Sequence, residues 1–152
     1  MILAIDPGPI QSAYVAWDGE TVGIFGKQDN AAVLSLLNNC YHDHLVVEMV
    51  ACYGMAVGKD VFETAYWIGR FCQASNTSYD RVYRMDVKMH LCHSARAKDS
   101  NITQALIDRF AYGVRNKGKG VKADKGFFYG FKADIWQAFA LAVTWWDKNE
   151  KT

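Results

Sequence analysis

The feature that most constrains this chain is a short apolar run at the N-terminus that ends on an acidic residue. Residues 2–5 are Ile-Leu-Ala-Ile, and Asp6 follows directly, before Pro7 and Gly8. A short run that is apolar on both faces predicts a buried strand. A carboxylate at the end of such a strand, just before a sharp turn, has its oxygens free to hold a metal ion.

Two further apolar segments carry an acidic residue at one end. Residues 45–47 are Leu-Val-Val and lead into Glu48, and Asp134 begins the last apolar helix of the sequence. Three carboxylates from distant parts of the chain could then converge on one point. The pattern predicts metal-dependent phosphate chemistry.

Composition limits the class of protein. The chain has 152 residues, of which 51% are hydrophobic and only two are proline. This length suits one domain over residues 1–152, and the composition argues against disorder. The net charge is +1, but twelve of the 17 Lys and Arg residues fall between Arg81 and Lys132. A polyanion-binding face and a solvated surface explain this clustering equally well.

The four cysteines are spread widely and form no Cys-x-x-Cys pair. We expect free thiols in a reducing cytoplasm. The longest apolar stretch, residues 135–146, is too short to cross a bilayer and contains Gln137. The His and Cys residues at 40–44 and 90–93 suggest zinc, but their spacing matches no standard site.

The order of predicted elements indicates the fold class. Strands are expected at 2–5, 12–17, 21–25, 45–48 and 81–85, with Asp18-Gly19 as the turn of a hairpin. Helices are expected at 30–39, 60–74, about 99–110 and 133–147, the first three capped by Asp29 or Asn30, by Asp60, and by Asp99 or Ser100. A hairpin followed by alternating helices and strands predicts an α/β fold: a mixed sheet with helices on both faces.

This order, with acidic residues at those three places, resembles the RNase H-like superfamily, and within it the RuvC-type Holliday-junction resolvases, particularly the compact forms encoded by phages. The resemblance covers nearly the whole chain. It implies a five-stranded mixed sheet in which three antiparallel strands precede parallel ones. The matching segments are IDPG at 5–8 with Ser-Ala-Tyr at 12–14, VVE at 46–48, VK at 87–88, SARAKDSNI at 94–102, and AD at 133–134 with AFALAV at 138–143.

The resemblance implies that Asp6, Glu48 and Asp134 bind two Mg²⁺ ions, for which Mn²⁺ could substitute, with Asp6 bridging both. Magnesium prefers oxygen ligands and keeps several waters, so a few carboxylates are enough. Without cations the packed carboxylates would repel one another. Lys88 and Lys98 match two family lysines near the scissile phosphate, where they would stabilise charge in the transition state.

One residue departs from the family pattern. Bacterial resolvases usually carry a fourth carboxylate one helical turn beyond the position of Asp134, where this chain has Gln137. Asp86 or Asp124 could compensate for it; otherwise the second metal would be bound more loosely.

The remaining predicted contacts are with DNA and with a second copy of the chain. Tyr53 is a candidate for stacking on unpaired bases at the junction centre, although a packing role is at least as plausible. The helix at 60–74 has more large apolar residues than one buried face needs, which suggests a homodimer. Residues expected to contact the DNA backbone are Arg96, Lys117, Lys119, Lys122 and Lys125.

The predicted function is a metal-dependent DNA endonuclease that resolves four-way junctions and other branched DNA by paired nicks, leaving 5′-phosphate and 3′-hydroxyl ends. One alternative is an RNase H-type nuclease that cuts the RNA strand of hybrids with the same metal site. The other is a junction-binding protein with weak or lost cleavage, which Gln137 makes conceivable.

Overall fold

A computed structural model describes residues 1–150 of the chain. Its centre is a five-stranded sheet with strand order β3-β2-β1-β4-β5. Strand β1 is antiparallel to β2, β2 to β3, and the pairs β1–β4 and β4–β5 are parallel. The strands are β1 (Ile2–Asp6), β2 (Gln11–Trp17), β3 (Val22–Asp29), β4 (His44–Met49) and β5 (Ser78–Tyr83), with a two-stranded hairpin of β6 (Gly120–Val121) and β7 (Asp124–Lys125) outside the sheet.

Five helices cover the two faces of the sheet. They are α1 (Asn30–Asn39), α2 (Lys59–Ala74), α3 (Arg84–Cys92), α4 (Asp99–Phe110) and α5 (Ile135–Asn149). Helices α1 and α2 pack on one face, and α3, α4 and α5 pack on the other. The predicted α/β fold, a mixed five-stranded sheet between helices, is confirmed. No helix within residues 1–150 has the length and apolar character needed to cross a bilayer.

Alternation along β1 determines which residues face which helices. Ile2 and Ala4 belong to the hydrophobic cluster under α5, whereas Leu3 and Ile5 belong to the cluster under α1 and α2. Successive side chains of a strand point to opposite faces, so a strand covered on both sides must be apolar throughout. This explains why residues 2–5 are uninterrupted by a polar residue. It also places Asp6, by the same alternation, on the α5 side.

Helix α5 is buried over most of its length. Every residue from 135 to 145 is buried, and the helix contacts β1, β2 and β4. The small side chains Ala138, Ala140 and Ala142 suit such close packing. The spacing of Asp134, Ala138, Leu141, Ala142 and Trp145 predicts one shared face that packs on the sheet. The structure instead buries the helix on all sides, because α3, α4 and the segment before α5 also cover it.

An aromatic cluster fixes the segment that leads into α5. Phe128 and Phe131 are almost fully buried and pack edge-on against Phe139 of the helix. Trp17 of β2 packs edge-on against the same phenylalanine at a centroid distance of 5.0 Å. Such aromatic pairs contribute roughly 0.5–1.5 kcal/mol beyond the area they bury. The stretch at 113–130, which is rich in Gly and Lys, is therefore anchored at its C-terminal end.

The fifth strand lies earlier than predicted, and the helix after it was missed. The strand was expected at 81–85 but spans Ser78–Tyr83, and α3 begins at Arg84. Val87 is the only buried residue of α3, so this helix lacks the apolar periodicity by which amphipathic helices are recognised. Val82 and Tyr83 favour a strand and moved the predicted boundary forward.

Three predicted details of the helix ends are wrong or incomplete. Asp29 occupies the N-cap position of α1, but its side chain makes no capping bond and accepts one from Gln11 instead. Gly58, rather than Asp60, precedes α2 as its N-cap. At α4 the N-cap is Lys98, whose backbone N–H donates to the side chain of Asn101 at 2.8 Å.

The buried stripe of α2 also differs from the prediction. The apolar spacing within 60–74 predicts a buried stripe of Val61, Ala65, Ile68 and Cys72. In the structure Val61 and Ala65 are only half-buried, whereas Thr64 and Phe71 are buried with Ile68 and Cys72. The hydroxyl of Thr64 donates to the backbone carbonyl of Asp60 at 2.7 Å, which satisfies it within the helix. A threonine can therefore occupy a core-facing position that hydrophobicity alone assigns to its apolar neighbours.

Asp147 joins the three helices on one face of the sheet. Its Oδ2 lies 2.6 Å from Nη1 of Arg109 on α4 and 2.8 Å from Nε2 of His90 on α3. The side chain is 9% exposed. Burial raises the pKa of Asp147, but the bonds from Arg109 and His90 outweigh that effect and lower it from 3.8 to about 2.

Replacing Asp147 by Asn is expected to destabilise the fold by roughly 2 kcal/mol at pH 7. A carboxyl group whose pKa is lower in the folded state stabilises above its unfolded pKa, and this stability is lost as pH falls toward the folded value. Between pH 4 and pH 2 the difference between wild type and D147N should therefore shrink. Denaturant unfolding at both pH values measures it, with D108N, an exposed change on α4, as control.

Candidate functional site

The site begins where β1 and β4 end. These strands are parallel, with Ile5 paired to Val47, so Asp6 and Glu48 follow next to each other at the same edge of the sheet. Val46 lies in the cluster under α5, and alternation places Glu48 on that side with Asp6. The side chain of Glu48 lies close enough to Asp6 to raise the pKa of that carboxyl group.

The third carboxylate reaches this edge from the start of α5. The backbone carbonyl of Asp134 accepts hydrogen bonds from the N–H groups of Gln137 and Ala138, each at 3.0 Å. Asp134 therefore opens the helix that crosses the central strands. Ala133 before it has φ of 47°, an uncommon conformation for a residue with a Cβ, so the chain turns sharply into the helix.

Asp6, Glu48 and Asp134 line one cleft of about 340 Å³. The structure thus brings together the three carboxylates that the sequence singled out, although their roles remain predictions. Gln137 also lines this cleft. Other lining residues are Pro7, Met49, Val50, Ala51, Tyr53, Val61, Arg84 and Asp99.

Burial and the neighbouring carboxylates raise the pKa of Asp6 well above its usual value. Burial is the largest cause, and the neighbouring Glu48 and Asp134 raise it further. Arg84 opposes the shift. A bound divalent cation would favour the ionised form of Asp6 in the same way.

Two cations that the sequence analysis did not single out contact the carboxylates. The Nζ of Lys27 on β3 lies 2.7 Å from Oδ2 of Asp134. The guanidinium of Arg84 lies 3.5 Å from Oε1 of Glu48 and also contacts Asp99. Burial lowers the pKa of Arg84, but the carboxylates of Glu48, Asp99 and Asp6 more than offset this and raise it.

A signal for Arg84 existed in the sequence. Glu48 pairs with Val82 across the parallel strands β4 and β5, so a residue just beyond the end of β5 lies beside the carboxylates. The predicted strand at 81–85 placed Arg84 inside a strand and hid this relation. Lys27 gives no comparable signal, because its proximity depends on the packing of β3 beside the start of α5.

The donors in the cleft suit a hard cation such as Mg²⁺. They are carboxylate oxygens together with the amide oxygen of Gln137, whose side chain is buried and whose Oε1 has no hydrogen-bond partner. A buried acceptor without a partner is costly unless water or an ion satisfies it. Within residues 1–150, no three Asp, Glu, His or Cys side chains are already grouped as metal ligands. Asp134 and Glu48 instead contact Lys27 and Arg84.

Neither proposed substitute for the missing carboxylate is among the residues that line the cleft. Asp86 is exposed on α3, and Asp124 is exposed on β7. The fourth carboxylate in the cleft is Asp99, in the first turn of α4.

The predicted catalytic lysines lie outside the set of residues that line the cleft. Lys88 is half-buried on α3. Lys98 is exposed and is the residue directly before Asp99, so it stands at the rim.

The predicted DNA-contacting residues fall into separate groups. Tyr53 lines the cleft, with 62% of its surface exposed. Arg96 lines a different cavity, between the end of α3 and α4. Lys122 is exposed in the turn of the small hairpin, and Lys125 lies 5.0 Å above the ring of Tyr129.

Lys117 and Lys119 line a third cavity together with Lys132, the last of the basic residues clustered between positions 81 and 132. Ser100, Thr103 and Gln104 of α4 contribute polar groups, and no acidic residue is among its lining residues. Three lysines beside hydroxyl and amide donors suit a phosphate group.

Comparison of the sequence with protein-family models and with curated proteins finds no match. Solved structures do match. Thermus thermophilus RuvC is 15% identical with a TM-score of 0.64, covering 94% of this chain and 91% of its own. The same protein in complex with a Holliday junction substrate is 16% identical with a TM-score of 0.60, covering 94% of this chain and 90% of its own.

A viral structure matches over the full length. The fowlpox virus resolvase, in a complex with substrate Holliday junction DNA, is 17% identical with a TM-score of 0.55, covering 97% of this chain and 99% of its own. The chain has the fold of these RuvC-type resolvases. At such low identity the likeness concerns the fold, and the resemblance predicted from the sequence is confirmed at that level.

The carboxylate cluster has a consequence for stability. An acidic group whose pKa is higher in the folded state than in the unfolded state makes its full contribution to the free energy of unfolding below the unfolded-state pKa. This contribution is lost as the pH rises through the folded-state pKa. Without divalent cations at pH 7, D6N should therefore melt higher than wild type, since each kcal/mol shifts the melting temperature by about 2–4 °C.

Three controls accompany this measurement. The difference should vanish below the unfolded pKa of Asp6, and added Mg²⁺ should raise the melting temperature of wild type but not of D6N. D124N, which removes an exposed carboxylate outside the cleft, should match wild type. A D6N protein that melts lower than wild type at pH 7 would contradict the proposed repulsion.

Proposed function

We propose that this protein is a divalent-metal-dependent endonuclease that acts on branched DNA, with the four-way junction as its main substrate. One observation carries the proposal: Asp6, Glu48 and Asp134 line a single cleft of a chain with the RuvC fold. The DNA complexes of T. thermophilus RuvC and the fowlpox virus resolvase support the choice of substrate. Paired nicks with 5′-phosphate and 3′-hydroxyl ends are the proposed products.

The cleft residues divide the work of hydrolysis. Asp6, Glu48, Asp134 and Gln137 would hold the two expected divalent cations, which would supply Lewis acidity toward the phosphate and favour ionisation of water. Lys98 at the rim would neutralise a phosphate oxygen as negative charge develops. Lys88, which does not line the cleft, keeps its proposed electrostatic role.

Tyr53 would hold DNA at the entrance of the cleft. Its ring is exposed and lines the same cavity as the carboxylates, so stacking on an unpaired base would bring the adjacent phosphate toward them. Its φ of 48° holds it in a turn next to the glycine at 54. This geometry favours a base-contacting role over packing in the core.

Helix α2 is the proposed dimer surface. Phe62 and Tyr66 are 66% and 60% exposed, and Trp67 is half-buried beneath the guanidinium of Arg70 at 4.3 Å. A two-fold dimer would present one cleft to each of the two equivalent strands of a junction. We place the protein in the cytoplasm, consistent with its free cysteines.

Nicking of a labelled four-way junction in Mg²⁺ tests the function directly. Wild type should cut two opposed strands symmetrically, whereas D6N should bind the junction with little change in affinity and give cleavage at least about 10³-fold slower, as when an essential catalytic group is removed. Cleavage that requires no divalent ion, or equal cutting by both proteins, would contradict the proposal.

An RNA–DNA hybrid and a linear duplex serve as substrate controls in the same assay. Cutting of the hybrid but not of the junction would instead identify an RNase H-type enzyme. Junction binding by wild type and D6N without nicking by either would identify a junction-binding protein.

The cavity lined by Lys117, Lys119 and Lys132 is proposed to hold the DNA backbone beside the cleft. Each lysine that neutralises one phosphate contributes about 0.9 to the slope of log K against log salt. The double variant K119Q/K132Q should lower that slope by about 2 for junction and duplex alike. K148Q, at the opposite end of α5 from Lys132, should leave it unchanged, and an unchanged slope in the double variant would rule out this contact.

A further inference from the structure

Arg84 lies in the cleft where a cation would otherwise balance the carboxylates. Its guanidinium contacts Glu48 and Asp99 and lies close enough to Asp6 to lower the pKa of that group. The Arg84 side chain is only 25% exposed. A buried guanidinium keeps its charge, because arginine does not lose its proton in proteins.

The charges of the cleft favour one divalent ion over two. Four carboxylates line it, from Asp6, Glu48, Asp99 and Asp134, and Arg84 and Lys27 contribute two positive charges. Two negative charges remain, which one divalent cation neutralises. A second ion would leave the cleft with an excess of two positive charges before the DNA phosphate arrives.

The two halves of the cleft differ in whether their side-chain oxygens already have a partner in the protein. On the Glu48 side, Arg84 already forms an ion pair with the carboxylate, at 3.5 Å. On the α5 side, Gln137 is 6% exposed, and its Oε1 has no hydrogen-bond partner. This unsatisfied acceptor lies one turn along the helix from Asp134, so the α5 half has an oxygen for which the protein itself provides no donor.

We propose that the cleft binds a single divalent cation, held by Asp6, Asp134 and Gln137, and that Arg84 replaces the second ion by holding a permanent positive charge between Glu48 and Asp99. The inference rests on the proposed function and changes the expected metal count from two to one. Arg84 would stabilise charge on the DNA phosphate, the part otherwise played by the second metal.

Asp99 gains a role in this arrangement. It contacts Nη2 of the guanidinium while Glu48 contacts Nη1, so the two carboxylates together hold the guanidinium in the cleft. Because Asp99 directly follows Lys98, the same ion pair ties the start of α4 to the carboxylates. The position of Lys98 at the rim therefore depends on Arg84.

Counting bound Mn²⁺ without DNA tests the proposal. Electron paramagnetic resonance at room temperature measures free Mn²⁺ during titration, so the number of sites is obtained without any cleavage assay. Wild type and R84K, which keeps the charge, should each bind one ion. R84Q should bind two, because Glu48 and Asp99 lose their cation. R81Q, an exposed change on β5, is the matched control and should bind one.

Gln137 provides a second variant. Q137A should still bind one ion, with affinity reduced about tenfold or more through loss of a ligand. The wild-type count is decisive even if R84Q fails to fold, which circular dichroism would reveal. Two ions or none in wild type, a count of one in folded R84Q, or unchanged affinity in Q137A would each overturn the inference.

The outcomes separate this inference from the proposed function. A wild-type protein that nicks junctions and binds two ions keeps the function and loses the inference. One that binds a single ion but cuts no branched DNA keeps the inference and loses the function.

Discussion

The parallel pairing of β1 and β4 is the constraint on which the site depends. Register places Asp6 beside Glu48, and burial of β1 on both faces leaves its end as the first position where an acid can reach solvent. The repulsion between the two carboxylates is an unavoidable result of this pairing. The positive charges at the cleft offset the negative charge of its carboxylates: Arg84 pairs with Glu48 and Lys27 with Asp134, and a divalent cation would do so in the proposed enzyme.

The segment that leads into helix α5 connects the carboxylate cleft with the basic segment. The phenylalanines at 128 and 131 anchor the chain just before the helix, and Asp134 follows them into the cleft. Lys132 lies within the same anchored stretch and lines the neighbouring basic cavity. The proposed contact with the DNA backbone and the carboxylate cluster are thus held in a fixed relation by one aromatic cluster, rather than by a hinge or a linker.

The fold could be predicted largely because its strands and most of its helices carry strong local patterns. Residues 2–5 and 45–47 are apolar on both faces, as doubly covered strands must be, and Asp18-Gly19 forms the expected turn, with Asp18 accepting bonds from the backbone N–H groups of residues 20 and 21. Helix α3 was missed because burying one residue leaves no periodic trace in its sequence. The stripe of α2 was misplaced because Thr64 is satisfied by its own backbone, which hydrophobicity does not register.

The sequence by itself determined that Asp6 and Glu48 end buried strands and that Asp134 opens the last helix, because strand burial and helix starts are local properties of the chain. That Arg84 and Lys27 pair with these carboxylates, and that Asp99 pairs with Arg84, was decided only by the tertiary structure. These side chains come from β3, the start of α3 and the start of α4, and their charges meet the carboxylates across long separations in sequence. An ion pair of this kind leaves no periodicity or spacing to recognise, since it arises from packing three independent elements against one edge of the sheet.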